Sequence, residues 1–367
     1  MCVKMITKIK LETGDLVIDS DEELDTLSGF AARNNSKRGF LFLSKVLGKH
    51  YPSCPCKMKE LHDSLARNIK PKLQKGSTVV IGFSETATAL GYGVYEALGI
   101  ENSYYQHTTR HKINYPLFLK FSESHSHASS HFLYYPDNPK HQQILRDVAN
   151  IVFVDDEYTT GNTLLNIINA FREKDLTPNF IATSILDWTN GSNDGQLPSI
   201  VSIIKGNFVF IPNQLRKCHQ KFVSENLNSI THLSLSNLYG RIGCESLKFN
   251  FEKLIKVIPT KNDRVLVIGT GEFMNVAYLL ALFLKTYSPE VYVQSTTRSP
   301  IIEGNDVISV LTFKDNYAEE TDNFLYNVKD KRYDLVYICY ETNYSPPEHT
   351  LYDQLAQLFP RVIRLIF

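Results

Sequence analysis

The chain has 367 residues, 43% of them hydrophobic and 21% charged, and its 39 Lys and Arg balance 39 Asp and Glu. That length exceeds one ordinary domain, so two are expected. Zero net charge leaves no basic excess for nucleic acid or an anionic membrane, and the six scattered cysteines form neither a zinc set nor a disulfide framework.

The cysteines read as free thiols of a cytoplasmic protein. The opening MCVKMITKIK is too short and too broken by lysine for a signal peptide. The longest apolar run, VAYLLALFL, is about half a membrane span.

In chain order, the alternation in KIKLETGDLVI predicts one or two edge strands. DSDEELDTLSGFAARNN reads as a helix start with acids in its first turn. In SKRGFLFLSKVLGKHYP, the positions Phe40, Leu41, Leu43, Val46 and Leu47 suit a buried helix. They leave Lys37, Arg38, Lys45, Lys49 and His50 as a basic group, which is either a solvated face or part of a site.

From residue 77 the order becomes strand, turn, helix. STVVIGF, NSYYQHTTR, NIVFVDD and FIATSILDW are strands, separated by SETATALGYGVYEALG and LLNIINAFREK as helices. Such alternation predicts an α/β fold with a parallel sheet covered on both faces. Ligands then sit at the C-terminal strand ends, which carry Ser84, Glu85, Thr108–Arg110, Asp155 and Asp156. Residues 190–245 look irregular, and strand order returns at DRVLVIGTGEFM.

The two halves echo each other. VVIGFSETATALGYGVYEALGIENSYYQHTTR ends in Thr108-Thr109-Arg110, and VLVIGTGEFMNVAYLLALFLKTYSPEVYVQSTTR ends in Thr296-Thr297-Arg298. Further on, Tyr340-Glu341 stands where the first half has Asp155-Asp156. A duplicated α/β unit with a degenerate second copy accounts for this pattern.

IVFVDDEYTTGNT carries the most specific chemistry. A buried strand ends in two acids and gives way to a Thr/Gly turn that opens a helix. Backbone N–H groups of the turn, hydroxyls of Thr159, Thr160 and Thr163, and the helix N-terminus can cradle a phosphomonoester. Asp155 and Asp156 suit either the two hydroxyls of a ribose or a sugar-bound Mg²⁺. ESHSHASSH sets Glu123, His125, His127 and His131 close together, as a metal set, a mobile lid or an ordinary polar loop.

The acid pair and turn resemble the phosphoribosyl-pyrophosphate (PRPP) signature of type I phosphoribosyltransferases, which share a Rossmann-like α/β fold. KRGFLFLSKVLGKH, GFSETATALG, SESHSHASSH, VDDEYTTGNT and STTRSP together are similar to a bacterial two-domain subfamily. It joins a phosphoribosyltransferase to a TRSP domain and is associated with tellurite-resistance-type stress gene clusters. The boundary is placed at 235/236, giving a phosphoribosyltransferase domain over 1–235 and a TRSP-type α/β domain over 236–367.

The resemblance implies Mg²⁺-dependent transfer of 5-phosphoribosyl from PRPP to an unidentified acceptor, in making a nucleoside-like metabolite. Asp155 and Asp156 would hold the ribose hydroxyls and, through them, the metal. Thr159, Thr160, Gly161, Asn162 and Thr163 would bind the 5-phosphate. Ser84, Glu85 and Thr86 would form the pyrophosphate loop, where Glu85 is a departure that needs Mg²⁺ or a nearby cation, from Arg110, Arg38, Lys45 or Lys49, to offset it. Arg38, Lys45, Lys49, Glu123, His125, His127, His131 and Arg298 are candidates for the acceptor pocket or its lid.

Thr159 stands where purine-salvage members carry an Asp, which argues against hypoxanthine or guanine as acceptor. The second domain would replace the second subunit of a homodimer as an intrachain pseudo-dimer, cover the acceptor with Glu272, Thr296, Thr297 and Arg298, or recruit a pathway enzyme. The rival expectation is a non-catalytic regulator that senses PRPP.

Overall fold

The computed structural model describes residues 5–33, 35, 38–122, 130–189, 195–213, 238–317, 321–343 and 347–367. The first half runs β1 (Met5–Leu11), β2 (Gly14–Ser20), β3 (Ser28–Ala32), β4 (Phe40–Ser44), α1 (Pro55–Ile69), β5 (Ser77–Gly82), α2 (Thr88–Leu98) and β6 (Ser103–His107). It continues with β7 (Leu117–Ser122), β8 (Ser130–Tyr134), α3 (Pro139–Arg146), β9 (Val148–Val154), β10 (Glu157–Tyr158), α4 (Asn162–Arg172), β11 (Asn179–Asp187) and β12 (Ser199–Pro212). The second half contains α5 (Phe251–Leu254), β13 (Val265–Gly269), α6 (Met274–Leu284), β14 (Val291–Ser295), β15 (Val310–Lys314), β16 (Asp322–Tyr326), β17 (Leu335–Tyr340), α7 (Leu351–Leu358) and β18 (Val362–Ile366).

The main sheet has the order β1-β2-β12-β11-β9-β5-β6. Its core strands are parallel and buried on both faces: STVVIG is buried throughout. Helices between successive strands cover such a sheet. The second sheet, β14-β13-β17-β18, is parallel throughout and repeats the order β6-β5-β9-β11.

The duplication extends to details. Each copy adds a hairpin, β7–β8 or β15–β16. Gln106 Nε2 donates to Tyr134 O and Gln294 Nε2 to Tyr326 O, both at 2.8 Å. Thr109 bridges Phe132 and Thr297 bridges Phe324. Register places Val154 beside Gly82 and Cys339 beside Gly269, so Glu341 is the topological counterpart of Asp156.

Two expectations are corrected. Residues 28–32 and 40–44 pair as the antiparallel strands β3 and β4 and are not helix. Phe40 and Phe42 alternate onto one aromatic face with Phe30, Trp188 and Phe208; Phe42 stacks on Trp188 at 4.8 Å. That cover comes from residues far along the chain and overrides the local helical spacing.

The irregular stretch holds the 14-residue β12. Its first half pairs with β11 in parallel and its second half with β2 antiparallel. The change of partner falls at Gly206, where a Cβ would meet Asp19 O at 2.2 Å, so no side chain fits. Cys54, Cys56, Cys244 and Cys339 are free thiols. No helix among the described residues is long and apolar enough to cross a membrane.

Candidate active site

β9 delivers Asp155 and Asp156 to the C-terminal edge of the main sheet, both half-buried. Asp155 N donates to Thr183 O of β11 at 3.0 Å, and Asp156 N donates to Asp155 Oδ1 at 2.9 Å. Asp156 O accepts from Ile185 and Leu186 N–H at 3.1 Å. The acid pair is therefore pinned by the backbone of β11. Burial, and then the neighbouring Glu157 charge, push the Asp156 carboxyl up to about 6. That position carries excess negative charge suited to sugar hydroxyls or a cation.

The turn that follows ends at Gly161, whose φ of +73° is the left-handed N-cap of α4. Gly161 offers no side-chain cap, and Asn162 N–H makes only a long bond, 3.4 Å, to Thr160 Oγ1, so this helix end suits an anion. Thr159 is half-buried and Thr160 exposed, and Asn162 and Thr163 open the helix half-buried. The phosphate-cradle residues of the sequence therefore lie along one turn.

Beside this turn, β5 leads into Ser84, Glu85 and Thr86. Ser84 N donates to Thr108 Oγ1 at 2.9 Å, which ties this loop to the end of β6. Of the cations expected to offset Glu85, Lys49 does so. Its Nζ lies 2.7 Å from Glu85 Oε1, 2.9 Å from Ser295 Oγ and 3.1 Å from Gly271 O. Burial draws the Lys49 ammonium below its usual range, against the pull of Glu85.

Arg38 serves another acid. Its Nη2 is 2.6 Å from Glu157 Oε1, with the guanidinium 4.8 Å from the Phe40 ring. Arg110 is buried, and its N–H donates to Glu272 Oε1 of the second half at 2.7 Å. Arg298 Nη2 lies 3.4 Å from His111 Nε2, so the two Thr-Thr-Arg turns face each other.

Lys45 is not brought to this edge; its Nζ donates to Asp25 O at 2.9 Å. His131 is buried in β8, stacked on Phe121 at 4.8 Å, with Nδ1 3.0 Å from Thr108 Oγ1, so it packs against the core beneath the site. Glu123, His125 and His127 lie outside the described residues. Glu272 and Thr297, expected to face an acceptor, are engaged within the protein.

Sequence reasoning missed Arg241. Its guanidinium joins Glu272 and Glu341, with Nη2 3.0 Å from Glu272 Oε2 and Nη1 2.5 Å from Glu341 Oε2. Tyr317 also donates to Glu341. The second copy's acids are thus filled by a buried cation. The signal was present: Gly240-Arg241 occupies on β6 the place that Gly48-Lys49 occupies on β14, with His107 N–H donating to Gly240 O and Ser295 N–H to Gly48 O.

Residues 27–205 match the family described as phosphoribosyl transferase, and residues 244–358 match the TRSP domain found C-terminal to it. The chain belongs to this two-domain phosphoribosyltransferase family. Phosphoribosyl transfer is the chemistry of its first domain.

Among solved structures, the phosphoribosyltransferase is similar to adenine phosphoribosyltransferase from Giardia lamblia complexed with 9-deazaadenine, at 18% identity and TM-score 0.30, covering 41% of this chain and 80% of that one. The Trypanosoma brucei enzyme, in complex with AMP, pyrophosphate and ribose-5-phosphate, gives 14% identity and TM-score 0.35 over 49% and 76% of the two chains. A hypoxanthine phosphoribosyltransferase from Staphylococcus aureus gives 11% identity and TM-score 0.29 over 43% and 77%. No curated protein matches the chain.

Proposed function

We propose that this phosphoribosyltransferase transfers the 5-phosphoribosyl group of PRPP to a small-molecule acceptor, with Mg²⁺, in building a nucleoside-like metabolite. The observation that carries the reading is the pinned Asp155–Asp156 pair, followed at once by the left-handed Gly161 and an uncapped helix start. Asp155 and Asp156 orient the ribose hydroxyls, the 159–163 turn holds the 5-phosphate, and Ser84–Thr86 faces the pyrophosphate. As the glycosidic bond breaks, negative charge grows on the leaving pyrophosphate and positive charge on the anomeric carbon. Cations near the first and carboxylates near the second stabilise that separation.

Among the described residues no cluster of three or more His, Cys, Asp or Glu can cage a metal. A site of one or two carboxylates plus substrate phosphates suits Mg²⁺, which dehydrates reluctantly. Asp155 and Asp156 would serve that metal through the ribose hydroxyls they hold, and bound Mg²⁺ would neutralise pyrophosphate charge. Arg38 and Arg298 are proposed for the acceptor side. A division at 235/236 and a setting in a tellurite-type stress gene cluster belong to the same proposal.

Calorimetric titration of PRPP with Mg²⁺ into wild type and the Asp155→Asn/Asp156→Asn double variant tests the reading. Saturable binding by wild type, lost in a folded double variant, is expected. Equal binding by both refutes the assignment of the acid pair.

A further inference from the structure

Each half carries a glutamate three residues after its turn glycine: Glu85 after Gly82 and Glu272 after Gly269. Each glutamate meets a cation from a segment that packs against the other half. Lys49 follows Gly48, which lies on β14, and Arg241 follows Gly240, which lies on β6. The two clamps differ in what else they hold. Lys49 ends on Ser295 Oγ and Gly271 O, whereas Glu272 reaches back into the first half.

Both Glu272 oxygens are used on the 108–110 loop. Thr109 Oγ1 donates to Oε2 at 2.6 Å and Arg110 N–H to Oε1 at 2.7 Å. Arg241 Nε and Nη2 reach Oε2 at 3.2 and 3.0 Å. One residue earlier, Thr108 Oγ1 accepts from Ser84 N–H at 2.9 Å. A continuous set of hydrogen bonds therefore runs from Arg241 through Glu272 and the 108–110 loop to the loop read as binding pyrophosphate.

We propose that Glu272 and Arg241 are positioning residues for phosphoribosyl transfer, fixing the Thr108–Arg110 loop and, through Thr108, the Ser84–Thr86 loop. The inference rests on the phosphoribosyl reading above. It makes the second domain part of the first domain's active site and gives its retained acids a use. Only an ionised Glu272 serves, because both incoming groups are donors. Burial alone would raise its carboxyl, yet the His111 and Arg241 charges hold it well below the usual carboxylate range.

The test is PRPP titration with Mg²⁺ into wild type, Glu272→Gln, Thr109→Val and Thr109→Ser, with thermal unfolding of each. Loosening the pyrophosphate loop by the worth of one hydrogen bond to a buried charge is expected to weaken PRPP binding about tenfold. That loss is expected in Glu272→Gln and Thr109→Val, while Thr109→Ser, which keeps the hydroxyl, binds as wild type. A purely structural role would shift unfolding temperatures without separating Ser from Val in affinity. Undiminished affinity in a folded Glu272→Gln overturns the proposal. If that variant does not fold, equal affinity of Thr109→Val and Thr109→Ser overturns it. A folded wild type that binds no PRPP refutes the functional reading, and this inference with it.

Discussion

Replacing Lys49 by Met leaves a buried carboxylate without its cation. Lys49 is 2% exposed and Glu85 is 13% exposed. Three hydrogen bonds disappear, but two of their acceptors need little repair: Ser295 Oγ already donates to Gly271 O at 3.0 Å. The loss therefore falls on Glu85. Breaking one side of a buried ion pair costs about 3–5 kcal/mol, and the slight solvent access of Glu85 places this case near about 3 kcal/mol.

The double variant Lys49→Met/Glu85→Gln removes the stranded charge as well, so it should recover about 2 kcal/mol of that loss. Urea unfolding of the two single variants, the double variant and wild type gives the cycle. A Lys49→Met protein as stable as wild type, or a double variant no better than the single one, would refute the reasoning that Glu85 depends on Lys49.

Two further outcomes follow from the acid pair and its turn. The folded Asp156 carboxyl, at about 6, lies above its ordinary 3.8, so the folded chain binds more protons between these values. The resulting stability is present below the lower value and lost as pH rises through 6, by about 1–3 kcal/mol. Asp156→Asn should flatten apo-protein stability between pH 7 and 4, and an unchanged slope in urea titrations would exclude this group as its source. Gly161→Ala forces an L side chain into φ +73° and sets its Cβ 2.7 Å from Leu197 Cδ1. It should cost about 1–2 kcal/mol and weaken PRPP binding in calorimetry more than a variant on the outer face of α4 does.

The strand, acid pair, turn and helix of 148–172 could be read from sequence because their signals are local: a buried apolar run, two acids, a glycine and a helical period. The duplication was legible for the same reason, in repeated turn glycines and Thr-Thr-Arg ends. The β3–β4 hairpin was not. Phe40, Leu43 and Leu47 have helical spacing, and only the distant Trp188, Phe208 and Phe210 make Phe40 and Phe42 strand residues. β12 was hidden because its positions are mostly half-exposed, which leaves no clean alternation. Arg241 looked like a lone turn residue, since the acids that give it meaning arrive 31 and 100 residues later.

The crossed placement of residues 48–53 and 240–244 also bears on how the chain is made. Ser53 bridges Val293, and Tyr105 bridges Cys244. A nascent chain leaving the ribosome can build β5, β6 and β9 early, but residues 48–53 have no strand to lie against until β14 has been synthesised. The first half therefore waits, with Lys49 undocked, for most of the second half to emerge. A gene cut between the halves would yield two polypeptides that reach this arrangement only by assembling with each other.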